Sequence, residues 1–348
     1  MAFIIYGATG YTGKLTVKHA IQLGLRPTIA GRDEEKVSLL AKELGLDFRI
    51  FDLENIDNIA KIISEFQVVL HCAGPFSKTA KPMVEACLKS GVHYLDITGE
   101  IAILEWVKQF DAEAKKKNIV LMCGVGFDLV PTDCVALKLH NELPDASHLE
   151  IAFTMEGGSI SHGTLTTMGI NLGNPSAARI NGKINEEPLG KAGKWIDFGK
   201  NKKFCISIPW GDLSSAYNTT HIPNIRTYSS ASKFTFYVLK IQFLLNPILR
   251  SGWFKRLFQG YVDRNITGPS EIQNTTGRSY VHGRVWNSQG EEKETLLECP
   301  ESYQLTAQTS ILVVQKLLNG SFVGGYYTPA GLFGENLILE IEGCKYLK

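Results

Sequence analysis

The sequence predicts an α/β fold: a Rossmann-like doubly wound parallel sheet with an inserted α+β second domain. Three observations predict it. Short apolar runs alternate with amphipathic segments of helical length from Met1 to about Cys123, a glycine triplet follows the first run directly, and the alternation is lost after Pro131. At 348 residues the chain is long enough for two domains that each bury a core without staples.

The runs Phe3–Tyr6, 28–30, 48–51, Val68–His71, 93–97 and 119–122 read as six strands. The first of them has no basic region before it and no small-residue cleavage site, so it is read as a strand rather than a signal peptide. Between the runs lie helices. One opens at the glycine triplet and reaches about Leu23. Glu34–Leu44 carries Val37, Leu40, Ala41 and Leu44 on one face and stops at Gly45, and 82–90, opening on Pro82, stops at Gly91. After Pro131 a helix over 132–142 and a strand near 149–154 lead into Gly-, Ser- and Asn-rich sequence up to about Asn185. Residues 279–287 and 294–299 form an antiparallel pair joined by the turn 288–291, 303–318 is helical, and 324–342 is β-rich and expected to pack back on the first domain. The expected domains are 1–140, completed by about 301–348, and 141–300 for substrate or oligomerisation.

Thirty-six Lys and Arg against thirty-five Asp and Glu give a net charge of +1, without the positive field that nucleic acid demands. The seven cysteines are odd in number, scattered and never spaced C-x-x-C, which argues against a disulfide framework and a zinc site and fits a reducing, cytoplasmic compartment.

Gly7-Ala-Thr-Gly10-Tyr-Thr-Gly13 lies between a strand and a helix. Glycines at these places allow a tight turn, a close approach by a pyrophosphate and close helix packing, while the helix N-terminus offers unpaired N–H groups. Gly7, Thr9, Gly10, Tyr11, Thr12 and Gly13 are therefore expected to bind a dinucleotide. Arg32, at the end of the second strand, suits a ribose 2′-phosphate, which favours NADP over NAD; the neighbouring Asp33 could hold a 2′-hydroxyl but fits better as the cap of the next helix. Asp52 after the third strand suits either the adenine edge or a helix N-cap. Cys72, Ala73, Gly74, Pro75 and Phe76 end the fourth strand where a cofactor passes, although His71 and Cys72 also read as core residues. Glu100 and Asp128, after the fifth and sixth strands, are the candidate catalytic carboxylates, with Asp128 the first choice for a group facing substrate. Glu100 and the nearby Asp133 also fit helix N-termini. No metal site is expected.

These blocks, with Tyr94-Leu-Asp-Ile-Thr-Gly-Glu100, Gly126-Phe-Asp-Leu-Val-Pro-Thr-Asp133 and the late Tyr327-Thr-Pro-Ala330, resemble the saccharopine dehydrogenase-like NADP-binding oxidoreductases, in order and chiefly over 1–140 and 300–348. The better match is the branch that includes trans-acting enoyl reductases. The resemblance implies an NADP-dependent oxidoreductase acting on a hydrophobic or lipid-linked substrate. The alternatives are a saccharopine-type reductase of an amino-acid imine, and an NADP-binding membrane-surface protein without turnover.

One segment stands outside this pattern. Residues 234–249 contain eleven hydrophobics in sixteen: Phe234, Val238, Ile241, Leu245 and Ile248 share a helical stripe, and Phe236, Leu239 and Phe243 fall opposite, so something apolar is expected around them. The run is too short to span a bilayer, and 233–264 holds six basic residues and one acidic. Residues 234–258 are open to three readings: a peripheral membrane or acyl-carrier contact, a core helix, or the interface of a homodimer.

Overall fold

The computed structural model describes residues 2–266 and 268–348. It divides into two compact units, 1–130 with 303–332 and 131–302 with 333–348.

The first unit is built on a parallel sheet of β1 (Phe3–Tyr6), β2 (Thr28–Gly31), β3 (Phe48–Ile50), β4 (Val68–His71), β5 (His93–Asp96), β6 (Val120–Met122) and the late strand Gly325–Tyr326. The spatial order is Gly325–Tyr326, β6, β5, β4, β1, β2, β3, so the winding reverses between β4 and β1, where Tyr6 pairs with His71. Helices α1 (Tyr11–Gln22), α2 (Glu34–Leu44), α3 (Ile56–Ile63), α4 (Phe76–Ser90), α5 (Ile101–Val107) and α6 (Asp111–Lys117) connect the strands. Alternating strand residues such as Ile4, Val69 and Leu121 pack with Ile59, Met83 and Leu104 of the helices into one core, each such side chain contributing about 1.5–3 kcal/mol by burial.

Local chemistry sets the helix ends. The Asp33 side chain accepts the Lys36 amide at 3.1 Å and starts α2, and Gly45 ends it with φ 63°. The expected helix starting at Pro82 begins six residues earlier instead, at Phe76, with Pro82 inside it. The reason is a distant cap. Glu100 Oε1 and Oε2 accept the Phe76 and Ser77 amides at 2.9 and 3.2 Å, so the first turn is satisfied before the proline is reached.

The second unit carries a mixed sheet of β7 (His148–Glu156), β8 (Ser176–Ile180), β9 (Lys183–Glu187), β10 (Gly193–Asp197), β11 (Lys202–Ile208), β12 (Asn224–Ser230), β13 (Arg278–Trp286) and β14 (Glu292–Pro300), with a short final strand, Lys345–Tyr346. The expected hairpin is β13–β14, antiparallel throughout. Where irregular sequence was expected, β8 and β9 form another hairpin, turning at Asn181 (φ 50°) and Gly182 (φ 77°), the two positive-φ positions of a tight turn. The tail departs from expectation. Residues 324–342 supply one two-residue strand to the first sheet and are otherwise helical (Pro329–Phe333, Glu335–Glu340), while Lys345–Tyr346 pairs with β14, so the end of the chain belongs to the second unit.

The segment after β12 is broken into α10 (Lys233–Lys240), a 3-10 turn (Gln242–Leu244), α11 (Asn246–Leu249) and α12 (Gly252–Asn265), with Asn246 and Pro247 at the start of α11. Apolar surroundings exist on one side only, and no residue from Lys233 to Leu249 is buried. A core helix is thereby excluded. Among the described residues no helix is long and apolar enough to cross a membrane, and no group of three or more His, Cys, Asp or Glu could hold a metal ion.

Candidate functional site

Because every strand of the first sheet runs the same way, the carboxyl ends of β1 to β6 share one edge, and most of the expected site residues follow directly on those ends. The glycine turn leaves β1 with the Gly7 and Ala8 amides donating to the Ala30 carbonyl at 2.8 and 3.3 Å. Gly7 has φ +86°, and a Cβ there would stand 2.7 Å from the Ala73 amide nitrogen; a Cβ on Gly13 would collide with the Gly7 carbonyl oxygen. The turn and the loop after β4 are thus held in direct contact, which only glycine permits. Gly10 occupies the N-cap of α1 and no side chain caps that helix. Thr9, Tyr11 and Thr12 are partly exposed along the turn, and the Thr12 carbonyl accepts the Thr16 hydroxyl at 2.9 Å.

Beside it, Thr79 Oγ1 donates to the Ala73 carbonyl at 2.6 Å and lies 3.2 Å from that of Pro75, fastening the Cys72–Phe76 loop to α4 and leaving Gly74 exposed. Arg32, past the end of β2, is exposed and among the described residues pairs with no carboxylate within 4.0 Å, since Asp33 is occupied as the α2 cap and by Lys36. Asp52 is not a helix N-cap. Its Oδ1 accepts the Glu54 amide at 3.1 Å, and Asn55 caps α3.

Under this edge His71 is fully buried, with Nδ1 3.3 Å from the Tyr94 hydroxyl, which donates to Asp96 Oδ2 at 2.8 Å; Asp96 Oδ1 accepts the Thr98 and Gly124 amides at 3.0 and 2.9 Å. Burial pushes His71 down to about 3 and Asp96 up to about 6. His71 is a neutral core residue that ties strand ends together. Burial, with Asp96 adding to it, raises the Cys72 thiol to about 12, so it holds its proton and is no nucleophile.

Glu100 spends both oxygens on the α4 amides, yet burial outweighs those bonds and holds it above the ordinary carboxylate range. Asp128 packs against the chain at Gly99, where an added Cβ would meet its Oδ2 at 2.8 Å. Burial first, and then the negative charge of Glu100, push Asp128 up to about 7. The two carboxylates expected at the rim are therefore brought together, one as a cap and one as a carboxyl that keeps its proton near neutrality. Asp133 departs from them into the second unit, where its Oδ1 accepts the Thr219 hydroxyl at 2.6 Å.

A family model for the saccharopine dehydrogenase NADP binding domain matches residues 3–122. Residues 3–122 are a saccharopine dehydrogenase NADP-binding domain. The cofactor of that domain is NADP(H). The bovine (Bos taurus) saccharopine dehydrogenase-like oxidoreductase is 22% identical, covering 97% of this chain and 94% of that protein. A trans-acting enoyl reductase of Mycobacterium leprae is 30% identical over 51% of this chain and 47% of its own length, so the chain spans about half of that relative. Apo saccharopine dehydrogenase (L-Glu forming) from Saccharomyces cerevisiae shares the fold, with a TM-score of 0.67 and 12% identity over 100% of both chains.

The NADP-binding domain fits its cofactor in three ways: the glycine contacts leave no Cβ in the turn, α1 starts without a side-chain cap, and Arg32 is an exposed cation unpaired with carboxylate among the described residues. Supports that the sequence reading missed come from the helix Ser302–Asn319. Thr306 Oγ1 accepts the Phe127 amide at 3.0 Å, Thr309 Oγ1 donates to the Val125 carbonyl at 2.8 Å, and the Tyr303 ring meets Tyr11 edge-on at 5.1 Å. Two threonines at i and i+3 were the available signal, but it names no partner.

Proposed function

We propose that this chain is an NADPH-dependent reductase of an apolar, enoyl-type acyl substrate and that Asp128 supplies the proton completing the reduction. Bound NADPH supplies a hydride, which carries both electrons. Saturating a C=C bond, or reducing a C=O, also takes up one proton. The observation that carries the proposal is Asp128: a carboxyl held against Gly99 at the strand-end edge, beside a second carboxylate, with its pKa raised to about 7. Such a group is protonated in the neutral range and can give the proton up without an extreme pH. The role of Glu100 is to position the start of α4 and, by its charge, to keep that proton on Asp128.

Two considerations support an apolar substrate over a polycarboxylate. Relatives named as enoyl reductases reach 30% identity, and two arginines of the second unit are committed to the fold: Arg226 pairs with Glu187 at 2.8 Å, and Arg179 donates to the Gly182 carbonyl at 2.6 Å while lying 4.1 Å over the Tyr217 ring. Steady-state NADPH oxidation with an enoyl thioester, and separately with lysine plus a 2-oxo acid, tests this. Turnover is expected with the thioester, and Asp128→Asn should lower kcat by roughly 10²–10⁴-fold. Turnover with the amine and oxo acid alone would favour a saccharopine-type reductase, and NADPH binding without turnover on either would leave a binding protein.

A further inference from the structure

The broken helices after β12 have two faces with opposite fates. Inward, Phe236 lies against Gly193 and 5.4 Å from the Phe204 ring, Leu239 covers Gly190, Leu249 and Arg250 cover Gly173, and Phe258 covers Gly169; an added Cβ at any of these glycines would come within 3.4 Å of those side chains. These contacts fasten the helices to β10, β11 and α8 (His162–Ile170). Outward, the stripe anticipated in the sequence is the uncovered one. Phe234 is 78% exposed and Ile241 53%, with Val238, Leu245 and Ile248 of the same stripe exposed too; outside the stripe, Leu244, Trp253 and Leu257 are 64%, 55% and 63% exposed, and Phe243 of the opposite row is exposed as well. Isolated exposed apolar residues are ordinary, but a row of them along consecutive short helices marks a contact surface.

Charge selects the occupant. Residues 233–264 carry six basic side chains and Asp263 alone, a local +5 in a chain of net +1. Among the described residues none of the six pairs with a carboxylate within 4.0 Å. Arg250 and Lys255 donate instead to the Gly173 and Ile170 carbonyls, at 2.8 and 2.5 Å, which fixes the side chains and leaves their charge. A second copy docking by twofold symmetry would set this positive face against itself. A groove of about 390 Å³ beside the start of α10 sets Lys233 against an aromatic wall of Trp195 and Phe204, while the Lys203 that also lines it is paired with Glu156 at 2.6 Å, so Lys233 is the cation offered to an anionic headgroup. The aromatic and aliphatic outer row, the flanking cations and the shortness of every helix are the features of segments that lie in a membrane interface rather than cross it.

We infer that α10 to α12 form a docking face for an anionic lipid bilayer, with the Phe234, Ile241, Trp253 and Leu257 side chains entering the acyl boundary and Lys233 and Arg256 meeting the headgroups. The inference does not depend on the reaction proposed above. The test is flotation of the full chain with vesicles of phosphatidylcholine alone and with an equimolar mixture of phosphatidylcholine and phosphatidylglycerol. The chain is expected to float with the mixed vesicles and to sediment with the neutral ones. Lys233→Gln and Arg256→Gln should each weaken partition about fivefold, an effect that fades in high salt. The triple variant F234S/W253S/L257S should lose flotation while still binding NADPH, which shows that it folds. Equal partition onto both vesicles, no flotation of the wild type, or flotation retained by the triple variant would overturn the inference. So would a wild-type dimer, seen by light scattering, that the triple variant splits, since the face would then belong to a second copy.

Discussion

The two units place their unusual features on opposite sides of the core boundary. In the first, apolar side chains are interior, and the irregular features are polar and gathered at one sheet edge: a glycine turn, an exposed arginine and the Asp128 carboxyl, whose proton is held by burial and by the charge of Glu100. In the second, the buried Arg179 is satisfied within the fold, and the irregular feature is apolar and outside. The difference teaches that the two features are separable, one suited to a charged cofactor and the other to the apolar surface that we propose for it. Lesions in one should leave the other's property intact.

The largest separation is expected at Gly13. In Gly13→Val the side chain would strike the Gly7 carbonyl and open the turn, and calorimetry should show NADPH binding weakened about 100-fold or more, with vesicle flotation unchanged. Next is Arg32→Ala, expected to weaken NADPH about 10- to 100-fold and to leave NADH nearly unaffected. Equal losses for both coenzymes would remove the 2′-phosphate assignment. Glu100→Gln sharpens the account of the edge itself. The Glu100 charge helps to hold the proton on Asp128, so its removal lowers the Asp128 pKa, and the alkaline limb of the kcat profile should move to lower pH. The smallest effect is reserved for Asn181→Ala in the β8–β9 turn, where a positive φ suits Asn better than Ala. A loss of about 1 kcal/mol, read as a lower Tm, should leave NADPH binding unaltered.

These contrasts also explain what could be read from the residues alone. The first sheet was legible because local period, turn chemistry and tertiary order agree there; the strand, glycine triplet, helix and Arg32 follow one another within about thirty residues. The start of α4 was misplaced because its cap, Glu100, lies 24 residues downstream, and a proline at position 82 offered a nearer but false start. Asp52 looked the same as a cap and as a loop residue, since the two differ only in which amide the carboxylate accepts. The β8–β9 hairpin had its signal in Asn181-Gly182, obscured by flanking strands too polar to alternate clearly. For 234–249 the periodicity found both faces and could not say which was covered, because the glycines that receive Phe236 and Leu239 lie in another part of the chain.

The proton on Asp128 admits a stability control as well. In the fold its pKa is about 7, whereas in the unfolded chain it is near the usual value of about 4. The carboxyl therefore weakens the fold progressively as pH rises from 4 to 7, and by its full amount above that. Asp128→Asn removes this cost, so its Tm at pH 8 should exceed that of the wild type, and any loss of turnover is then not a loss of folding.

The most direct measurement is the pH dependence of kcat for NADPH oxidation in the wild type and in Asp128→Asn. An alkaline fall centred near pH 7 in the wild type, with a low and flat profile in the variant, is the predicted result. A variant with undiminished kcat and the same alkaline limb would show that the proton comes from another group.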